Sequence, residues 1–403
     1  MENFKKINTY FSPNEQELKK MKLIQEYIRN EFAFIRMTDT MLEKSIIDAS
    51  HYLRKILKDA NVIDYLNISP DEKIYKKAVI LSDNEFVEKK VSYYRPKTKN
   101  GDPRTWVYGL KNYVRTGDLV YFTTYQSKLL VIPLNLDENT IRKTLELQFT
   151  TQKLLDNKIV KELVEKLKIV KAKGWIKSVN PTSPKIAPKD AGETLERELG
   201  IKPNNLISAD YKGQIELKSK IRETKNNDTL FSCVPNWSKS KIKSSAEMIL
   251  TYGYPCKNQE KYPEFMDLYV TVKNKANPQG LYLLSEDEDE MLYQCHIADG
   301  ITCVWDYEAI EKKIKEKHPK TAWVVAETKK INGENYFKYI ELEMTQNPLL
   351  SQFIVLINDG YLTFDWRGRV KSDGTKYKDK GHAFRLNPKY RDVLFGDLEK
   401  IEI

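Results

Sequence analysis

No apolar run in the 403-residue sequence approaches the ~18 residues that a membrane-spanning helix needs. The first residues, Met1-Glu2-Asn3-Phe4-Lys5-Lys6, lead into no hydrophobic segment of the kind that directs secretion. Cysteine is scarce: Cys233, Cys256, Cys295 and Cys303 are the only four, and no two form a C-x-x-C pair. Histidine is limited to four as well, so a structural zinc site is disfavoured. So few cysteines in so long a chain make no disulfide framework. There is no internal repeat and no low-complexity tract. Together these absences predict a cytoplasmic protein kept in reducing conditions.

What the chain does have is charge and enough apolar residues to bury real cores. Charged residues make up 31%, hydrophobic ones 40% and aromatics 11%. The mean hydropathy is −0.59. Lys and Arg total 67 against 57 Asp and Glu, a net charge of +10. A cationic surplus is the electrostatic footprint of a protein that meets nucleic acid. The length predicts two domains.

Residues 14–30 and 39–60 read as helices, and in the second Ile46, Ala49, Leu53, Ile56 and Leu57 recur at helical spacing. From about 76 to 134 the pattern turns to short β-rich runs: 79–81, 91–94, 105–108, 119–122 and 129–132. Turn signals such as Asn100-Gly101-Asp102-Pro103 separate them. This predicts an N-terminal α+β module with a small antiparallel sheet or barrel. Residues 138–170 return to helix, with Val160, Leu163, Val164, Leu167 and Val170 on its apolar face. A boundary near 135–160 divides the chain into residues 1–150 and 151–403. The second part alternates helices and strands and ends strand-rich around 352–403.

The candidate chemistry lies between Glu193 and Lys218. Residues 193–200 read as a helix closed by Gly200. A loop with Pro203, Asn204 and Asn205 follows, and then Ala209-Asp210-Tyr211 and Glu216-Leu217-Lys218. In a strand, Glu216 and Lys218 share one face and Leu217 takes the other. Asp210 and Glu216 offer hard oxygen ligands suited to Mg²⁺. A metal so held polarises a phosphodiester and lowers the pKa of a bound water. Lys218 can orient that water or stabilise developing negative charge. The pattern alone is cheap in a chain this rich in Lys and Glu. Asp83, Glu88 and Lys90 match it too, and Glu17-Leu18-Lys19 repeats its final triplet on a helix. On spacing alone, a solvated strand face is the preferred reading of each.

The order of segments separates them. Thr194-Leu195-Glu196, Asp210-Tyr211 and Glu216-Leu217-Lys218 resemble the MvaI/BcnI family of restriction endonucleases and their mismatch-repair relative MutH. There a T-(F/L)-E-x-x-L helix precedes a D-(F/Y) and an E-(I/L)-K. Lys173-Gly174-Trp175, Thr229-Leu230-Phe231 and Tyr336-Phe337-Lys338-Tyr339 are similar to further family segments, in the same order. Where the family often reads H-D-H-G-x-x-F-R, this chain has Lys378-Asp379-Lys380-Gly381-His382-Ala383-Phe384-Arg385.

This resemblance, over residues 156 to 403, implies an α/β restriction-endonuclease-like fold: a mixed central sheet flanked by helices. It implies a Mg²⁺-dependent type II restriction enzyme that cuts double-stranded DNA at a short GC-rich site related to CCNGG. Asp210, Glu216, Lys218 and Glu196 would be the catalytic set, with Asp210 and Glu216 on the metal. It further implies a monomer and a cognate DNA methyltransferase. The alternatives are a MutH-like nicking factor of a repair pathway and a non-catalytic DNA-binding protein. The intact carboxylate–lysine set argues against the last.

Asp365-Trp366-Arg367 resembles a base-reading strand of the family. Arg367 and Arg385 could each grip guanine O6 and N7, the competing reading being an ordinary ion pair. Lys378, Asp379, Lys380 and His382 accompany them as DNA-binding candidates. Lysines in place of the family's histidines narrow the hydrogen-bond repertoire, because Lys only donates. His382 reads as a packed or phosphate-facing group. Lys241 and Lys243 alternate with serines and suit phosphates, or a solvated loop. The acidic run 285–290 reads as a solvated loop, not a metal site. In the N-terminal half, Arg95, Lys97, Lys99 and Arg104 surround a turn beside Tyr93, Tyr94, Trp106 and Tyr108. That mixture suits nucleic-acid contact, and equally a β-core with a solvated hairpin tip. The two-part layout is similar to that of UbaLAI and EcoRII, whose N-terminal barrel binds a second copy of the target.

Overall fold

The computed structural model describes residues 13–83, 85–97, 101–149, 157–201, 209–286, 289–396 and 398–403. The N-terminal half runs α1 (Glu15–Tyr27), β1 (Ala33–Arg36), α2 (Asp39–Lys44), β2 (Ile47–Asp48), α3 (His51–Asp59), β3 (Lys73–Ser82), β4 (Glu85–Tyr94), β5 (Arg104–Val107), β6 (Leu119–Tyr125), β7 (Lys128–Pro133) and α4 (Glu138–Gln148). Its seven strands form one sheet in the order β1-β6-β7-β3-β4-β5-β2. Every pairing is antiparallel except β3 with β7. All the β-rich runs of the sequence are strands here. The continuous helix expected over 39–60 is not. Ser45 turns left-handed (φ 57) and ends α2, Ile47 pairs with Thr105, and Ser50 caps a new helix by accepting from the Leu53 amide at 3.4 Å. A caps-and-breaks pattern thus overrides a hydrophobic period that read as unbroken. One face of the sheet buries Ala78, Ile80, Val91 and Val107 against α3. The other buries Leu81, Tyr121 and Ile132 under α1 and α4.

The C-terminal part runs α5 (Lys158–Ala172), β8 (Ile176–Lys177), α6 (Pro188–Glu198), β9 (Glu216–Ile221), β10 (Asp228–Ser232), α7 (Ser245–Tyr252), β11 (Tyr254–Pro255), β12 (Phe265–Val272), β13 (Leu281–Glu286), β14 (Met291–His296), β15 (Gly300–Asp306), α8 (Tyr307–Lys317), β16 (Lys320–Ile331), β17 (Glu334–Gln346), α9 (Leu350–Asn358), β18 (Leu362–Lys371), β19 (Lys378–Asp379), β20 (Ala383–Leu386), α10 (Arg391–Phe395) and β21 (Leu398–Ile401). One sheet is ordered β21-β17-β16-β9, with β9 parallel to β16. A second is ordered β10-β20-β18-β12-β11, and β13-β14-β15 make a third. The helix expected over 138–170 is two helices, α4 and α5, with 150–156 outside the described residues. The apolar stripe of α5 packs with α6 on β9, β16 and β17. The expected strand-rich end begins with a helix, α9. Its run Phe353-Ile354-Val355-Leu356-Ile357 is buried on every side, and a fully buried helix and a fully buried strand carry the same unbroken apolar signal.

The two halves share apolar packing. Core residues of the N-terminal sheet and of α8, α9 and β18 belong to one continuous cluster. Tyr52 stacks on Tyr307 at 5.9 Å. The Glu31 carboxylate caps α9, accepting from the amides of Leu350 (3.1 Å) and Ser351 (3.2 Å) and from Ser351 Oγ (2.6 Å). Among the described residues no helix is long and apolar enough to cross a membrane.

Candidate active site

The site is assembled by a doubled-back loop, the first turn of a strand and the end of a helix. Lys212 (φ 53) and Gly213 (φ 68) both take left-handed backbone, a conformation glycine adopts without strain. Bridges between Ala209 and Gly213, and between Tyr211 and Ile215, close the loop. Tyr211 is pinned by its hydroxyl, which donates to Glu162 at 2.9 Å. Asp210 is thereby folded back on β9, where its Oδ2 accepts from the Leu217 amide at 3.1 Å. The sequence spaced Asp210 and Glu216 apart; the loop returns them to one place.

Glu216 opens β9 with its side chain only 1% exposed, and Lys218 Nζ lies 2.6 Å from its Oε1. As expected, the strand puts these two on one face. A second ammonium was not expected. Lys317 Nζ, on the last residue of α8, stands 2.9 Å from Glu216 Oε2 and 3.4 Å from Asp210 Oδ1. Sequence reasoning missed it because it is 99 residues beyond Lys218 (317 − 218) and belongs to no motif. The signal that finds it is topological. With β9 parallel to β16 and Glu216 opposite Thr321, a helix ending just before β16 must end beside Glu216.

Glu196 sits on α6, which packs on β9. Its carboxyl is held above the ordinary range by burial and by the charges of Asp210, Glu193 and Glu216. Burial also raises the Glu216 carboxyl, with Lys218 opposing and Asp210 adding to the rise. Burial alone would lower the Lys317 ammonium, but Glu216 and Asp210 more than reverse it. His318 is fully buried between Thr321 Oγ1 and the Leu230 carbonyl, each at 2.9 Å. Burial and the nearby Lys218 push it down to about 3, so it is a neutral structural group behind the site.

A divalent cation fits this donor set. Glu216 Oε2 is buried and accepts no well-aligned hydrogen bond, even with Lys317 beside it. Mg²⁺ asks for only one or two carboxylates, the rest of its shell being water and substrate oxygen. Among the described residues no group of three or more His, Cys, Asp or Glu is arranged to hold a metal ion, so the protein would offer only the carboxylates of Asp210 and Glu216. The decoys lack the arrangement. Glu88 is spread between Lys77 (2.6 Å) and Lys128 (2.9 Å) on an open sheet face. Glu17 pairs with Arg36. The acidic run is dispersed: Glu290 meets His51 and Asp289 accepts from Tyr293, while 287 and 288 lie outside the described residues.

If Glu196 tunes this cluster, Glu196→Gln should slow cleavage ~10–100-fold, the usual scale for a carboxylate behind the ligands, and shift the optimum to higher metal. Initial rates across a Mg²⁺ titration test this. Wild-type rates at every concentration would remove Glu196 from the site.

The DNA-facing candidates gather on the other sheet. On β18, Phe364, Trp366 and Val370 point into the core, so Asp365, Arg367, Arg369 and Lys371 line the open face. Asp365 ties to Arg385 Nε at 3.3 Å and accepts from Thr271 Oγ1 at 2.7 Å. The Arg367 guanidinium meets no partner among the described residues. Lys378 and Asp379 form the short exposed strand β19 against Arg369 and Gly368, and the Lys380 amide donates to the Arg367 carbonyl at 3.0 Å. His382 is placed differently from a base contact. It is buried against Trp366, Nδ1 accepts from the Arg367 amide at 2.9 Å, and Nε2 meets the Tyr377 hydroxyl at 2.9 Å. Both ring nitrogens are used, so it fixes the strand that carries Arg367. Lys241 and Lys243 reach carbonyls of Asp299 (3.4 Å) and Trp237 (3.4 Å), anchoring their own loop. Arg369 was overlooked in the sequence: it lies flat on Tyr262 at 3.8 Å, with its Nε 3.2 Å from Asp267.

A family model described as the MvaI/BcnI restriction endonuclease family matches residues 164–395, more than half of the chain. No curated protein matches. Among solved structures, the chain is similar to the restriction endonuclease MvaI in complex with its cognate DNA substrate, with TM-score 0.50 and 21% identity over 60% of this chain and 98% of that one. MvaI in the absence of DNA aligns with TM-score 0.37 and 20% identity over 61% and 98%. The mixed sheets and flanking helices of residues 158–401 are accordingly a restriction-endonuclease-like fold.

Proposed function

The chain belongs to the MvaI/BcnI restriction endonuclease family, and from that premise we propose that it hydrolyses double-stranded DNA in a Mg²⁺-dependent reaction, at a short GC-rich site related to CCNGG. The observation that carries the catalytic part is the meeting of Asp210, Lys218 and Lys317, all partly exposed, around the buried Glu216 carboxylate. Asp210 and Glu216 would hold the metal. When bound, Mg²⁺ supplies a Lewis acid for the scissile phosphate and a more acidic water. Lys218, fixed on Glu216, is placed to orient the attacking water and to meet negative charge as it builds on phosphate oxygens. Glu196 keeps negative potential high around the carboxylates and so favours a cation there. The decisive experiment is plasmid digestion with and without Mg²⁺, followed by sequencing of the ends. Discrete fragments with a common short sequence are expected. An intact plasmid across all metals and temperatures would overturn the reading.

Target choice is proposed to rest on the open face of β18. An arginine with no protein partner among the described residues has its guanidinium donors available for bidentate reading of guanine. Arg367→Ala should relax specificity at one base pair, costing about 1–3 kcal/mol there while leaving other positions unchanged. End-sequencing of digests by the variant reads this directly, and an unaltered site cut at wild-type rate would exclude Arg367.

We also propose residues 1–150 as a DNA-contacting module and 151–403 as the nuclease domain. Of the cations expected there, Arg95 bonds the Gly101 carbonyl, Lys97 pairs with Asp71, Arg104 pairs with Asp48, and Lys99 lies outside the described residues. The open sheet face beside them is the better platform. Lys90 Nζ is 3.8 Å from the Tyr75 ring and Lys73 Nζ 4.6 Å from the Tyr94 ring. Replacing Lys73 and Lys90 by Ala should lower the salt slope of DNA binding by about one log unit for each phosphate that is no longer neutralised. An unchanged slope would assign this face another task.

A further inference from the structure

Lys317 is the feature that the catalytic reading does not fully absorb. Its ammonium lies between the two carboxylates proposed to share a metal, 2.9 Å from Glu216 Oε2 and 3.4 Å from Asp210 Oδ1. Lys218 already neutralises the other oxygen of Glu216 at 2.6 Å. Two buried or half-buried carboxylates facing each other need a cation between them, because like charges in a poorly hydrated site repel strongly. The chain supplies that cation itself.

We propose, on the footing of the metal-dependent reading above, that Lys317 is a built-in counter-ion that holds the place of the divalent cation in the metal-free protein and is expelled when the metal binds. Mg²⁺ and an ammonium cannot both occupy the line between Asp210 and Glu216. The ammonium can leave by rotation of its own flexible stem, and the helix beneath it need not move. α8 is in fact clamped along its length. Tyr307 stacks on Tyr52, Glu311 approaches Lys55 (3.8 Å), and Lys315 approaches Glu31 (3.7 Å). A fixed helix with one mobile ammonium at its tip gives a site that is closed and neutral without metal, and open to a cation at the cost of displacing the lysine. Metal affinity is then set below what the carboxylates alone would give. Lys317 on this account is a positioning residue, acting through Asp210 and Glu216.

The test is Mn²⁺ binding to the full-length, DNA-free protein, followed by the paramagnetic signal of free Mn²⁺, for wild type, Lys317→Met and Lys317→Arg. Lys317→Met removes the competing charge and should bind Mn²⁺ about 10-fold tighter or more, since one unit charge ~4 Å from a divalent cation is worth roughly a factor of 30 even at the dielectric constant of water. Lys317→Arg keeps the charge and should bind no tighter than wild type. Thermal unfolding gives a second readout: Lys317→Met should melt below wild type in EDTA and gain more on adding Mn²⁺. Glu216→Gln serves as the reference that loses the metal. If Lys317→Met binds Mn²⁺ no better than wild type while Glu216→Gln loses it, the displacement idea fails and the metal site stands. If wild type and Lys317→Met both ignore Mn²⁺, the metal-dependent reading fails and takes the displacement idea with it.

Discussion

Alanine at Asp210 should abolish cleavage, by on the order of 10³-fold or more, while DNA affinity stays within a few-fold of wild type. The reason is a division of labour. Affinity for DNA comes from phosphate contacts spread over many Lys and Arg, each a modest increment. Hydrolysis, on the proposed assignment, depends on a few oxygens and one ammonium whose positions have no substitute. Asp210 is held in place by the Leu217 amide at 3.1 Å, so its loss should remove a fixed oxygen of the proposed metal site and leave the fold of β9 intact. Glu216→Gln is the better variant at the strand. Alanine there would take from Lys218 and Lys317 the carboxylate they share, and loss of activity could then be confused with loss of structure. Lys218→Ala should be as inactive as Asp210→Ala. The control is Glu88→Ala, at the decoy motif on the N-terminal sheet, which should cut normally. Plasmid cleavage in Mg²⁺ and gel shift in Ca²⁺ measure the two properties separately. Full cleavage by Asp210→Ala would sink the site assignment.

The sequence announced this site only in part, and the reason is physical. Glu216 and Lys218 are legible because a strand's two-residue period is rigid: residues i and i+2 must share a face. Glu196 is legible because Gly200, at φ 73, ends its helix where the glycine said it would. Asp210 was legible as a residue type, but its approach to β9 depends on two left-handed residues, Lys212 and Gly213, and no periodicity foretells that. Lys317 was not legible at all. Its placement needs the parallel pairing of β9 with β16, a contact between segments about 100 residues apart whose register nothing local encodes.

The same distinction runs through the fold. An alternating strand such as β17 could be read from pattern, since one face meets the core and the other is more open. The helix α9 could not, because burial on all sides erases any period. For the same reason, the docking of the N-terminal half was invisible. Glu31 reads as one more surface carboxylate, yet it caps a helix that begins at Leu350. Ion pairs are equally opaque. Arg385 was read as either a base reader or half of an ion pair, and it is tied to Asp365 at 3.3 Å.

The largest effect on stability is expected from Arg391→Ala. The Arg391 side chain is 7% exposed, with Nε 2.8 Å from Asp228 and Nη1 2.8 Å from Glu343. Its guanidinium also lies over the Trp323 ring at 4.1 Å. One planar group thus ties α10 to β10 in one sheet and to β16 and β17 in the other. Asp228 is itself 7% exposed, and among the described residues its other cation is Lys220 at 3.4 Å. Burial already depresses the Lys220 ammonium, with Asp228 opposing and Arg391 adding to that depression, so Lys220 is a poor replacement. Removing Arg391 leaves Asp228 buried without its main partner, a loss of about 3–5 kcal/mol. In a chain of this size that lowers the melting temperature by roughly 5 °C. Lysine should rescue little, since it lacks the fork that reaches both carboxylates and the flat face that covers an indole. Adding Asp228→Asn to Arg391→Ala should restore part of the loss, because the cost lies in the orphaned charge more than in the missing bond. Urea unfolding of the two single variants and the double variant measures this. A loss under about 1 kcal/mol for Arg391→Ala, or no recovery in the double variant, would show that water reaches Asp228 and that the two sheets are held by their apolar packing alone.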